Sequence, residues 1–186
     1  DIAVLYRIHT DARSVVEGLL EKKIPFQMRE HMANLYDHFI AKDLQAYFRM
    51  ADGEFSRSDF LQIMNRPKRY ISRESVSGSR KISFEQIRIF MKRKNGCRIG
   101  SSVRVGYPYA EKMAPYAAIQ YVRRKIGYDE FLREYAAGKR MPASDLFEAL
   151  SEIEEAAKPF QTFAEWFVHI EEYTNALKMR QQKREM

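Results

Sequence analysis

The sequence predicts a mainly α protein, a multi-helix domain behind a short N-terminal βαβ stub. From about residue 38 onward, apolar residues recur at three- and four-residue spacing, the mark of helices with one buried face. Two capping boxes, Ser83-x-x-Gln86 and Thr162-x-x-Glu165, open helical runs. Ahead of all this, residues 1–28 read strand, helix, strand. The chain has 186 residues, 45% of them hydrophobic, with 12 Phe and 11 Tyr, so it can bury a core despite 31% charged residues.

Ile2-Ala3-Val4-Leu5-Tyr6 is a short continuous apolar run, the pattern of a strand buried on both faces. A helix over roughly 11–22 follows, with Val15, Val16, Leu19 and Leu20 on one face. Ile24-Pro25-Phe26-Gln27-Met28 reads as a second extended segment, because Pro25 cannot sit inside a helix. Parallel pairing needs further strands beside these two, and the rest of the chain offers none. An unpaired edge at Ile2–Tyr6 predicts self-association through that strand.

The helical part starts with residues 38–51, where Phe39, Ile40, Leu44, Tyr47, Phe48 and Ala51 fall on one face. Residues 58–65 carry Phe60, Leu61 and Met64 and stop before Pro67. Ser83 opens a helix bearing Ile87, Phe90 and Met91, closed by Gly96. Pro115 suits the first turn of the next helix, which Gly127 ends. Asp129 is the expected cap of a helix with Phe131, Leu132 and Tyr135, with Gly138 as its stop. Residues 144–157 bring Leu146, Leu150 and Ile153 together. Behind Thr162, a stripe of Phe163, Trp166, Ile170, Tyr173 and Leu177 predicts the last buried helix face.

Charge is distributed unevenly. The whole chain carries +7, yet residues 66–104 alone carry +10, while residues 1–65 carry −2 and residues 143–186 carry −4. A basic block of this density suits a polyphosphate surface. One cysteine, Cys97, excludes an internal disulfide framework and a Cys-based zinc cluster. No apolar run is long enough to span a bilayer, and Asp1 leads directly into Ile2–Tyr6 without the pattern of a secretory leader. A soluble, reducing compartment is the expectation.

Catalytic signatures are missing from the pattern. No Gly-rich loop ends in Gly-Lys-Ser/Thr, so no nucleotide-phosphate cradle is expected. His9, His31, His38 and His169 share no metal-ligand spacing with each other or with Cys97. The carboxylate pairs Glu154-Glu155 and Glu171-Glu172 lie on amphipathic helices and read as solvated faces. Asn65-Arg66-Pro67-Lys68-Arg69-Tyr70-Ile71-Ser72-Arg73 is of another kind, with cations concentrated in a turn between helices. Such a turn suits either a nucleic-acid phosphate or plain solvation.

Four blocks in order carry a family resemblance. Ile2-Ala3-Val4-Leu5-Tyr6-Arg7, Arg13, the Leu19-Leu20 helix and Ile24-Pro25-Phe26 resemble the I-A-V-L-Y-R-T-N-A-Q-S-R, helix, I-P-Y pattern of UvrD/Rep/PcrA-type superfamily 1 DNA helicases. Tyr36-Asp37 and Lys42-Asp43-Leu44-x-Ala46-Tyr47-x-Arg49 are similar to that family's F-Y-D-R-x-E-I-K-D-x-x-A-Y-L-R. Phe60-Leu61-x-Ile63-x-Asn65-x-Pro67-Lys68-Arg69 resembles its F-x-R-I-I-N-x-P-x-R-G-I-G. Residues 75–186 match in length and helical character.

The resemblance implies two regions. Residues 1–35 correspond to part of the second RecA-like (2A) domain, and residues 36–186 to the helical 2B domain inserted into it. The expected function is that of the DNA-binding and regulatory region of an ATP-dependent 3′-to-5′ DNA helicase acting in repair or replication. It would contact duplex DNA ahead of the fork, without sequence preference and beside the rest of the motor. An autoinhibitory or protein-interaction module without DNA contact is the alternative. ATP and Mg2+ are implied for the parent hydrolase, whose Walker A site lies outside this sequence, so the chain is expected to be inactive alone. A cytoplasmic, nucleoid-associated location is implied as well.

The resemblance also names site residues. Arg66, Lys68, Arg69, Ser72, Arg73, Arg80 and Lys81 are expected on duplex phosphates, and Arg7 and His9 toward single-stranded DNA. His9 replaces the motif's Asn and can still hydrogen-bond or stack on a base. The G-I-G element, which lays backbone amides on duplex phosphates, reads Tyr70-Ile71-Ser72 here. Met32-Ala33-Asn34 stands where the family has G-G-L-K.

Overall fold

The computed structural model describes residues 2–6, 9–27, 34–52, 56–76 and 113–182. Seven α-helices occur among them: α1 (His9–Glu21), α2 (Phe39–Ala51), α3 (Arg57–Ile63), α4 (Pro115–Tyr121), α5 (Tyr128–Lys139), α6 (Ala143–Ala157) and α7 (Phe163–Gln182). A 3-10 turn, Leu35–Asp37, leads into α2, and another, Arg73–Val76, follows α3. A π-turn, Val122–Ile126, joins α4 to α5.

Mainly α is therefore right, and the βαβ stub is not formed. Among the described residues there is no strand; Ile2 and Leu5 are 96% and 95% exposed, and residues 24–27 belong to no sheet. The apolar run has strand composition, but a strand needs a hydrogen-bonded neighbour, and none of the described segments supplies one. The helix of this region does form. Ala12 and Val16 of α1 join the same buried cluster as the other helices, and α1 packs on α7.

The core is a continuous set of helix faces. α2 packs on α3 and α6, α4 and α5 both pack on α6, and α7 closes the aromatic centre. The stripe Phe163, Trp166, Ile170, Tyr173 and Leu177 is buried throughout, as its spacing predicts. Phe163 stacks on Phe48 of α2 with ring centroids 4.5 Å apart, and Trp166 lies 5.5 Å from the same ring. Tyr36 meets Trp166 and Tyr173 edge-on at 6.3 and 5.6 Å, the favoured T-shaped geometry.

Helix ends show which local signals govern. The Thr162 capping box is complete: Glu165 N–H donates to Thr162 Oγ1 (3.2 Å), and Thr162 N–H donates to the Glu165 carboxylate (3.1 Å). The stop expected at Gly138 is not used, because α5 runs on to Lys139. Arg140 takes the left-handed conformation instead (φ 55°), with Arg140 N–H on Ala137 O and Met141 N–H on Ala136 O, a Schellman motif. Lys23 ends α1 in the same way, at φ 54°. Nor is Asp129 the cap of α5: Gly127, at φ 87°, precedes the helix, and Asp129 sits in its first turn paired with Arg123 at 3.1 Å. The Ser83–Gly96 helix lies outside the described residues.

α2 begins at His38, whose Nδ1 accepts a hydrogen bond from Ile40 N–H at 3.3 Å. Burial lowers the His38 pKa below its ordinary 6.5, against the opposing charge of Asp43. Burial likewise lowers that of His169, against Glu172. Asp145, Glu148 and Glu152 of α6 line the same cleft as His38. With both folded pKa values depressed, the unfolded chain binds more protons near pH 6.5, so stability rises with pH through that window. The stabilisation is present above the unfolded value and is lost as pH falls below it toward the folded values. We expect the Tm to drop between about pH 7 and pH 5, and His38→Asn, which keeps a capping acceptor, to shrink the drop. A wild-type Tm flat across that window, measured by circular dichroism, would contradict the assignment.

Candidate nucleic-acid interface

The basic turn from Asn65 to Arg73 is held from inside the domain. Its foundation is Asp43 of α2, whose carboxylate is wholly buried. Arg66 donates to both of its oxygens (2.6 and 2.8 Å), Gln62 of α3 donates at 2.9 Å, and Tyr128 of α5 donates its hydroxyl at 2.7 Å. One carboxylate thereby ties α2, α3, the basic turn and α5 together. Burial, and then the charge of Asp43, push the Tyr128 hydroxyl far above its ordinary pKa of 10.0, so it stays protonated and keeps the proton that it donates to Asp43. Burial opposes the charge of Arg66, but its hydrogen bond to Asp43 and that carboxylate's charge prevail and raise its pKa.

Arg69 is the second anchor. Only 7% exposed, it donates to Ile63 O at 3.0 Å, satisfying a carbonyl at the end of α3, and to Tyr47 Oη at 3.1 Å. Tyr47 in turn donates to Arg66 O. Asn65 completes the clamp by gripping Ile71 twice, accepting its N–H and donating to its carbonyl, both at 2.9 Å. The Arg66–Pro67 bond within this turn is cis.

These bonds divide the expected phosphate contacts into two groups. Arg66 and Arg69 are committed to Asp43, Tyr47 and the end of α3, so they build the turn rather than face outward. Lys68 and Arg73 are exposed, and Ser72 is half-buried beside them, with its Oγ accepting from Glu74 N–H at 3.3 Å. His9 opens α1, away from this turn in sequence, and its side chain is not among those described. Arg7, Arg80 and Lys81 lie outside the described residues.

Tyr70, which stands where the resembled pattern has a glycine, is 78% exposed, with the Lys68 ammonium 5.0 Å from its ring centroid. Its backbone is left-handed, at φ 53°, a conformation that costs an L-residue about 1–2 kcal/mol and that glycine adopts freely. The turn thus keeps a glycine-like path while displaying an aromatic ring. Its sequence signal is an aromatic set inside a basic run after a proline.

No family model matches the sequence, and neither the curated proteins nor the solved structures give a match. Among the described residues, no three His, Cys, Asp or Glu side chains converge on a point that holds a metal. No described helix is long and apolar enough to cross a membrane. What this face offers chemically is two exposed cations and an exposed aromatic ring on a turn fixed from inside the domain.

Proposed function

We propose that this chain is the DNA-contacting and regulatory region of a UvrD/Rep/PcrA-type ATP-dependent 3′-to-5′ DNA helicase, gripping the duplex at its junction with single strand. The observation that carries this reading is the clamped basic turn. Its sequence resembles the stretch that carries the family's duplex-contacting element, and it presents Lys68 and Arg73 outward on a base fixed by Asp43, Arg66 and Arg69. Arg80 and Lys81 extend the same run of cations in sequence. ATP and Mg2+ belong to the motor that this region would serve, and no residue is assigned to them. Contacts of this kind position DNA without reading its sequence.

The test is fluorescence anisotropy with a labelled duplex bearing a single-stranded tail, titrated across a salt series. With about four phosphates neutralised, log K should fall against log salt with a slope near −3.6, from ~0.9 per contact. Lys68→Ala with Arg73→Ala should flatten the slope by about 1.8 and leave the melting temperature nearly unchanged. Full affinity and an unaltered slope in that double variant would remove the turn from the interface. A second reading, a protein-docking or autoinhibitory module, is favoured by the inward commitment of Arg66 and Arg69 and by the −4 charge of residues 143–186. Absence of DNA binding even at low salt would select it.

A further inference from the structure

Tyr70 is held in a conformation that its own packing does not explain. Both neighbours are buried, Arg69 at 7% and Ile71 at 6% exposure, and each is hydrogen-bonded into the domain. The ring between them projects into solvent and meets the Lys68 ammonium. A left-handed tyrosine fixed on both sides and left open in the middle is a backbone outlier of the sort that marks a binding position. Because the turn is already immobilised by Asn65, Arg69 and Tyr47, ordering it on binding costs little.

We propose that Tyr70 is a stacking platform for an unpaired nucleobase, with Lys68 and Arg73 holding the adjoining phosphates. The inference rests on the DNA-contacting role proposed above and assigns the single-stranded side of the junction to this one ring. Charge complementarity selects the occupant: an aromatic ring with the Lys68 ammonium against it and Arg73 three residues on, in a sequence block of +10, matches the alternation of base and phosphate along a single strand. With Lys68 over one face, the opposite face takes the base. Stacking of this kind tolerates any base, because every base has a π-face. Where the resembled pattern has a glycine's bare backbone, this chain would hold the strand by a side chain.

The experiment uses the full chain and two probes of one duplex sequence, blunt or with a single-stranded tail whose first unpaired base is 2-aminopurine. Wild type should bind the tailed probe more tightly than the blunt one and quench the 2-aminopurine. Tyr70→Ala and Tyr70→Gly should weaken tailed binding by roughly 5- to 150-fold, the range for losing one aromatic–base stack, and abolish the quench. Blunt-duplex affinity and the salt slope should stay as in wild type. Tyr70→Phe should retain both affinity and quench. Tyr70→Gly, which suits a positive φ, should not lower the melting temperature, so lost binding in that variant is not lost folding.

If wild type binds both probes with a steep salt slope and the Tyr70 variants match it, the stacking assignment falls and the DNA-contacting role stands. If wild type binds neither probe at low salt, both fall together. Equal affinity for tailed and blunt probes in wild type also overturns the stacking role.

Discussion

Asp43→Ala is expected to cost about 2–4 kcal/mol, less than for a fully buried ion pair because the Arg66 side chain is 34% exposed, and to lower the Tm by roughly 4–16 °C. The carboxylate is wholly buried and receives Arg66, Gln62 and Tyr128 at 2.6–2.9 Å. Removing it leaves the buried Tyr128 hydroxyl without its acceptor and deprives the partly exposed Arg66 and Gln62 of theirs. The cost arises from what is left behind more than from what the pair contributed, since a matched hydrophobic set in its place is often neutral. Asp43→Asn keeps the shape and an acceptor for Tyr128 but turns donors toward Arg66, so it should fall between wild type and alanine. Thermal melts followed by circular dichroism test this order. A loss under 1 kcal/mol for alanine would mean that the four groups do not act as a unit.

Trp166→Ala is expected to cost about 3–5 kcal/mol, as large aromatic truncations in cores do. Trp166 is fully buried, touching Phe48, Tyr36 and Phe167 by ring contacts at 5.5, 6.3 and 6.0 Å. The cavity would open where α7 meets α2, so the cost depends on how far two helices can close on it. Trp166→Phe should lose less. The chain contains one Trp, so its native emission should be that of a dry indole and shift red on unfolding. A wild-type emission typical of solvated indole would contradict the burial on which this prediction stands.

Which features the sequence disclosed follows from the range of the interaction responsible. Thr162–Glu165 and the stripe from Phe163 to Leu177 depend on residues within a turn or two of each other, and both occur as spaced. The Ile2–Tyr6 strand failed because an apolar run specifies a readiness to pair, while the partner strand must come from elsewhere. Gly138 misled because the left-handed cap follows the last packed turn of α5, and Arg140 stands at that place. For the candidate interface, spacing identified the basic turn but not the division of labour within it. Asp43 lies 23 residues before Arg66 and 85 before Tyr128, so nothing local reveals that Arg66 serves a buried carboxylate. Arg69 reads in sequence like Lys68 beside it, and only the end of α3 separates the inward cation from the outward one.

The carboxylate of Asp43 has a further consequence for how the domain opens. Arg66 of the basic turn and Tyr128 of α5 both donate to it, so α2, the turn and α5 share one acceptor. None of the three can swing away without breaking a hydrogen bond to this carboxylate. They should therefore open together as one cooperative unit, with similar amide-exchange protection, rather than as separate segments.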